Sequence, residues 1–151
     1  MLLDSEDGTL GTNASLSSDG LLLAYESRES GPSEIYVQAY PSATGRFRVS
    51  RAGGAKPRWG KNNQLIFLSN TTFMVATVST LPELHADTPR PIVDEPLLVE
   101  GTDSIRVYDV GPDGRILAIK EDDSVRSDHI VVVQNWLSEA RAPLSGSRKT
   151  P

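Results

Sequence analysis

The feature that most limits how this chain can fold is a short unit used three times. In "SLSSDGLLLAYE", Ser15 to Glu26, polar residues run into a turn and an apolar stretch follows at once. "DVGPDGRILAIK", Asp109 to Lys120, repeats the device, and "RWGKNNQLIFLS", Arg58 to Ser69, carries a degraded form of it. The turns are Ser18-Asp19-Gly20, Lys61-Asn62-Asn63 and Pro112-Asp113-Gly114, and their central residues lie 43 and 51 positions apart. Asp and Asn bond their own backbone locally, and Gly takes a positive φ without a Cβ penalty, so each triplet suits chain reversal. A tight hairpin of this kind sets the register of the two strands it joins.

The segments around the turns have strand character. In "EIYVQAY", Glu34 to Tyr40, Ile35, Val37 and Ala39 share one face while Tyr36, Gln38 and Tyr40 take the other. "FMVATV", Phe73 to Val78, and "HIVVVQNW", His129 to Trp136, are β-branched or aromatic runs of strand length. Helical spacing is confined to "NWLSEARA", Asn135 to Ala142. The expected class is therefore all-β. A repeat of about 40–50 residues belongs to four-stranded propeller blades, which predicts about three antiparallel blades. The expected division is residues 1–12 as a strand completing a neighbouring blade, 13–50, 51–95 and 96–142 as blades, the last with a short helical turn, and 143–151 as a frayed tail. In the second blade a long connector, "STLPELHADTPRP", precedes a short last strand near Ile92.

"SSDGLLLAYESRESGPSEIYVQAYP", followed by "GGAKPRW", resembles the TolB-like propeller repeat, a WD40-like β-propeller unit. The ending "IVVVQNW" with a short helix resembles propeller modules at the C-terminal end of bacterial serine/threonine protein kinases. The resemblance departs from the repeat at Ser18, where Pro is usual, and at Lys61-Asn62-Asn63, which replaces Pro-Asp-Gly. It implies a propeller used for protein interaction, ligand sensing or assembly. It brings no catalytic residues with it.

Three blades do not close a ring, because propellers typically need about four to eight. Open flanks expose apolar sheet faces and unpaired backbone groups. The expectation is either the last part of a larger propeller or self-association. In the latter, the first strand of one copy completes the last blade of another, and two copies make six blades head to tail.

The 151 residues suffice for a real core, and the formal net charge of −5 disfavours a nucleic-acid-coating protein. Without cysteine there is no disulfide framework and no thiolate nucleophile. No apolar run approaches the roughly 20 residues of a membrane span, and "MLLDSEDG" lacks a signal-peptide pattern, so neither is expected. If the chain belongs to a longer protein of the resembled kind, an extracytoplasmic location is implied.

Chemistry-bearing motifs are sparse. His85 and His129 have no companion ligands at metal spacing. A Gly-x-Ser-x-Gly elbow and the kinase signatures are absent. "DSEDG", Asp4 to Gly8, begins like a calcium loop but reaches Ser15 where the twelfth-position Glu is required. Asn13-Ala14-Ser15 and Asn70-Thr71-Thr72 match glycosylation triplets that here serve as turn-adjacent polar residues. The expectation is a protein without catalytic activity, cofactor or metal, whose partner is another protein or a second copy. The alternative is an accessory propeller of a kinase or a prolyl-oligopeptidase-like hydrolase, with the catalytic domain elsewhere.

One stretch is locally basic. "RFRVSRAGGAKPRW" holds Arg46, Arg48, Arg51, Lys56 and Arg58, five of the chain's 15 basic residues and none of its 20 acidic ones, and ends in Trp59. It predicts a surface for an anionic partner, with Trp59 available to stack. The competing expectation is a solvated outer strand whose charges discourage edge pairing, with Trp59 in the core.

Overall fold

The structure is a computed structural model that describes residues 11–93, 107–120 and 129–133. Among the described residues all regular structure is β, in twelve strands. The helical turn expected over 135–142, the tail and, but for Gly11 and Thr12, the leading strand expected over 1–12 lie outside the described residues, and Thr12 opens the first strand of the chain's own first sheet.

The strands form three antiparallel sheets in chain order. The first is β1 (Thr12–Leu16), β2 (Leu22–Ser27), β3 (Glu34–Ala39) and β4 (Phe47–Arg48), each paired with the next. The second runs β5 (Ala55–Trp59), β6 (Gln64–Ser69) and β7 (Thr72–Ser79). The far edge of β7 is shared by β8 (His85–Ala86), opposite Val78 and Ser79, and β9 (Arg90–Val93), opposite Phe73 to Val75. The third is β10 (Tyr108–Val110), β11 (Ile116–Lys120) and β12 (His129–Val133). The connector expected before Ile92 is therefore partly strand. Asp87 joins its two pieces, exchanging hydrogen bonds with Thr77 through its carboxylate (2.7 Å) and its own N–H (3.0 Å).

The turns explain the registers. In the first, the Gly20 N–H donates to Ser17 O (2.9 Å), and the Asp19 carboxylate accepts from the Leu21 N–H (3.0 Å) and the Ser17 hydroxyl (2.6 Å). In the third, the Gly114 N–H donates to Gly111 O (2.9 Å) and the Arg115 N–H to Asp113 (3.0 Å). The glycines hold φ of 71° and 85°, the left-handed region that a Cβ disfavours. The middle turn does the same job with two left-handed asparagines, Asn62 (φ 54°) and Asn63 (φ 55°), closed by the Gln64 N–H on Lys61 O. Consecutive positive φ values are the geometry of a type I′ hairpin, which Asn tolerates better than other residues with a side chain.

The sheets stack face on face, with β5 lying against both β1 and β10, so the first strands of the three sheets come together at one side. Between the first two sheets, Leu22, Ala24, Ile35 and Val37 meet Leu65, Phe67, Ala76 and Val78. Between the second and third, Ile66, Leu68, Phe73 and Val75 meet Tyr108, Ile116 and Ala118. Alternate residues of β6 thus enter different cores, which is why "LIFL" is apolar without interruption: a strand covered on both faces has no polar side. Fully burying one such side chain is worth about 1.5–3 kcal/mol.

Aromatic residues on the first strands tie successive sheets together. The Trp59 indole N–H donates to Ser15 O on β1 (2.9 Å). The Tyr108 hydroxyl contacts two carbonyls of the middle sheet, Lys56 O and Ile66 O (3.0 Å). Its ring sits edge-on to Phe73, with centroids 4.7 Å apart. Burial pushes the Tyr108 phenol far above its ordinary range.

Candidate interaction surface

Three loops converge where the first sheet meets the second: the β2–β3 connection, the β4–β5 connection and the β6–β7 turn. They border a groove of about 530 Å³ whose wall includes Ser33, Glu34, Arg51, Gly53, Gly54 and Asn70. Its floor is held by a polar latch. The Glu34 side chain is buried, accepts from the Ser50 hydroxyl and from the Gly53 N–H (3.3 Å), and lies 3.9 Å from the Arg48 guanidinium. The Ser50 oxygen in turn accepts the Ile35 N–H (2.7 Å), and the Gly54 N–H donates to Ser33 O (2.8 Å). Gly54 leaves no room for a side chain: an added Cβ would come within 2.7 Å of Ile35 and 2.9 Å of Ser50. Charge-assisted hydrogen bonds to this buried carboxylate tie the β4–β5 connection to the start of β3.

A second carboxylate works on the other side of the same junction. Glu26 accepts from the Asn13 amide (2.8 Å) and from the Lys56 N–H. It holds Lys56 in the left-handed region (φ 55°), within the bulge that offsets β5 against β6 between Ala55 and Arg58. Bulges re-aim side chains locally, and this one separates the directions of Lys56 and Arg58.

The structure divides the basic stretch. Arg46 folds back over the first sheet, 4.5 Å from the Tyr36 ring centroid and 5.9 Å from that of Tyr25, and pairs with Glu29. Arg48 is exposed on β4, and exposed Arg51 donates to Thr88 Oγ1 (3.3 Å) across to the second sheet. Lys56 is buried, with 7% of its surface accessible. Arg58 is half-buried and donates to Pro57 O (2.6 Å). Trp59 packs against the core between the first two sheets. Arg48 and Arg51 thus flank the Glu34 latch, and Arg51 alone of the six lines the groove. Lys56, Arg58 and Trp59 sit on β5, toward the side where the first strands meet.

The two latches escaped the sequence reading. Glu26 and Glu34 fall in strands among apolar neighbours, and an acid inside a strand is the only signal that could have singled them out. His85 is exposed, its Nδ1 2.8 Å from Glu83 O, and no cluster of potential metal-binding residues occurs among the described residues. Nor is any described helix long and apolar enough to cross a membrane.

Stacked antiparallel sheets, each entered from the side where the first strands meet, define the chain as a set of β-propeller blades. Among solved structures it is similar to the crystal structure of TolB from Acinetobacter baumannii, with 15% identity and a TM-score of 0.51. The match covers 80% of this chain and 29% of that one, so the chain spans less than a third of the TolB length. No family model and no curated protein matches the sequence.

Proposed function

We propose that this chain is a non-enzymatic propeller module that binds an acidic segment of a partner protein at the groove between its first two sheets. The observation that carries the reading is a groove bordered by Arg51, with Arg48 beside the Glu34 latch. Exposed guanidiniums suit carboxylates, which arginine grips through paired hydrogen bonds. The propeller likeness supports a binding role at the level of fold. In this reading the open flank of the module is completed by association with further blades or with a second copy. Attachment to a serine/threonine kinase, which the resemblance of the ending implies, belongs to the same proposal and is checked by looking for kinase motifs in the adjoining coding sequence.

The test is fluorescence anisotropy with a labelled Glu/Asp-rich decapeptide. Reversing Arg48 and Arg51 to Glu weakens binding at least about tenfold, and binding falls with salt. Equal affinity in wild type and double variant would make these arginines a solvated edge and end the proposal.

A further inference from the structure

Arg46, Arg48 and Arg51 are close in sequence, and each is held differently. Arg46 pairs with Glu29, and Arg48 lies 3.9 Å from the Glu34 carboxylate. Arg51 meets a neutral group instead. Its guanidinium donates to Thr88 Oγ1 (3.3 Å), and no carboxylate pairs with it among the described residues. A guanidinium carries five N–H donors, so this contact orients Arg51 and leaves its charge and most of its donors for a ligand. Within the basic stretch it is also this side chain that lines the groove.

Thr88 is fixed from both sides. It follows Asp87, whose N–H and carboxylate are both bonded to Thr77 of β7 (3.0 Å and 2.7 Å). It precedes Pro89, and a residue before proline is held to extended backbone. The strands on either side, β8 and β9, pair with the same edge of β7. The Asp87 carboxylate is thus engaged by the β7 backbone, and the group that reaches across to the first sheet is the Thr88 hydroxyl. The backbone beside Arg51 is tied down as well. The Ser69 hydroxyl donates to Ala52 O (3.3 Å), and the Gly53 N–H donates to Glu34 (3.3 Å). Arg51 therefore borders the groove from a fastened loop, with its tip held by the second sheet.

We infer that Thr88 is the positioning residue of the groove: it orients the Arg51 guanidinium without neutralising it, and so readies it for a ligand carboxylate. The inference rests on the reading of the groove as the site of an acidic segment, and names the residue that prepares its cation. A free surface arginine gives up many rotamers on binding. One that is already held gives up fewer, and more of the contact appears as affinity. A carboxylate in place of the hydroxyl would hold Arg51 as well but cancel its charge, which is the arrangement Arg46 has with Glu29. The hydroxyl supplies order and leaves the charge intact.

The test uses the full chain and the same labelled Glu/Asp-rich decapeptide. Thr88→Val, which keeps the shape and removes the acceptor, weakens binding about threefold. Thr88→Ser, which keeps the hydroxyl, recovers the affinity. Thr88→Asp, which exchanges a neutral acceptor for a charged one, weakens binding about tenfold. In an Arg51→Gln background Thr88→Val has no further effect, a coupling that a general loss of structure would not produce. Circular dichroism checks that each variant is folded. NMR relaxation of the Arg51 Nε–H gives an order parameter that falls in Thr88→Val and is restored in Thr88→Ser. Equal binding by wild type and Thr88→Val, or equal Arg51 order in both, would overturn the inference and leave the groove reading standing. A wild type that does not bind the peptide would end that reading and the inference with it.

Discussion

The middle and third sheets are built from the same kind of strand and end in different surroundings. β6 sends Leu65 and Phe67 into one core and Ile66 and Leu68 into the other, all four at 2% exposure or less. β11 sends Ile116 and Ala118 inward but leaves Leu117 and Ile119 about half exposed. An uninterrupted apolar run thus marks a strand built to be covered twice, whether or not the second cover is present. The stability of a residue in either strand follows from which face it occupies rather than from its type.

The largest expected effect tests that statement. Phe73→Ala empties a site between the middle and third sheets, where the ring is 1% exposed and packs on Tyr108, and costs about 3–5 kcal/mol in urea unfolding. Leu117→Ala, on the open face, costs under about 1 kcal/mol in dilute solution. Equal costs would mean that the outer face is covered within the monomer. Next in size is Tyr108→Phe, which keeps the ring and removes the hydroxyl shared by Lys56 O and Ile66 O. Leaving buried carbonyls without that donor costs about 1–3 kcal/mol. The same phenol gives an alkaline signature. Its pKa is raised in the folded state, so its contribution is present below the ordinary tyrosine value of about 10 and is lost as pH climbs past it. The Phe variant loses this alkaline sensitivity.

Smaller effects separate the turns. Gly20→Ala forces a Cβ into a φ of 71° and costs about 1 kcal/mol. Asn63→Gly places Asn-Gly, the favoured type I′ pair, in a turn that already has both positive φ values, and is neutral or slightly stabilising. The smallest is an acid effect at Asp19. Its carboxyl lies below the usual aspartate range because it accepts from the Ser17 hydroxyl and then the Leu21 N–H. A lowered folded pKa gives stability that is present above about pH 4 and lost as pH falls through the folded value. Asp19→Asn therefore narrows the gap to wild type between pH 5 and pH 2 in thermal melts.

The sheets were readable because turn chemistry and apolar runs are local signals. Asp19-Gly20 and Asp113-Gly114 announce their reversals, and even Asn62-Asn63 does so once a left-handed pair is allowed. What could not be read was partnership. "HADTPRPIV" carries two prolines and two charges, yet the long edge of β7 recruits it in two pieces around Asp87. Lys56 is in sequence one cation of a basic run, and in space it is a buried residue on a bulge fastened by Glu26. Arg46 belongs by composition to the same run and by contact to two tyrosines and Glu29. Spacing along a chain says which face a residue takes and nothing about which neighbour meets it.

Amide hydrogen exchange, followed for β6 and β11 in dilute solution, tests the contrast most directly. Exchange reports the free energy of local opening. The account predicts slow exchange for Gln64–Ser69 and faster exchange for Ile116–Lys120. Equal protection of the two strands in dilute solution would contradict it.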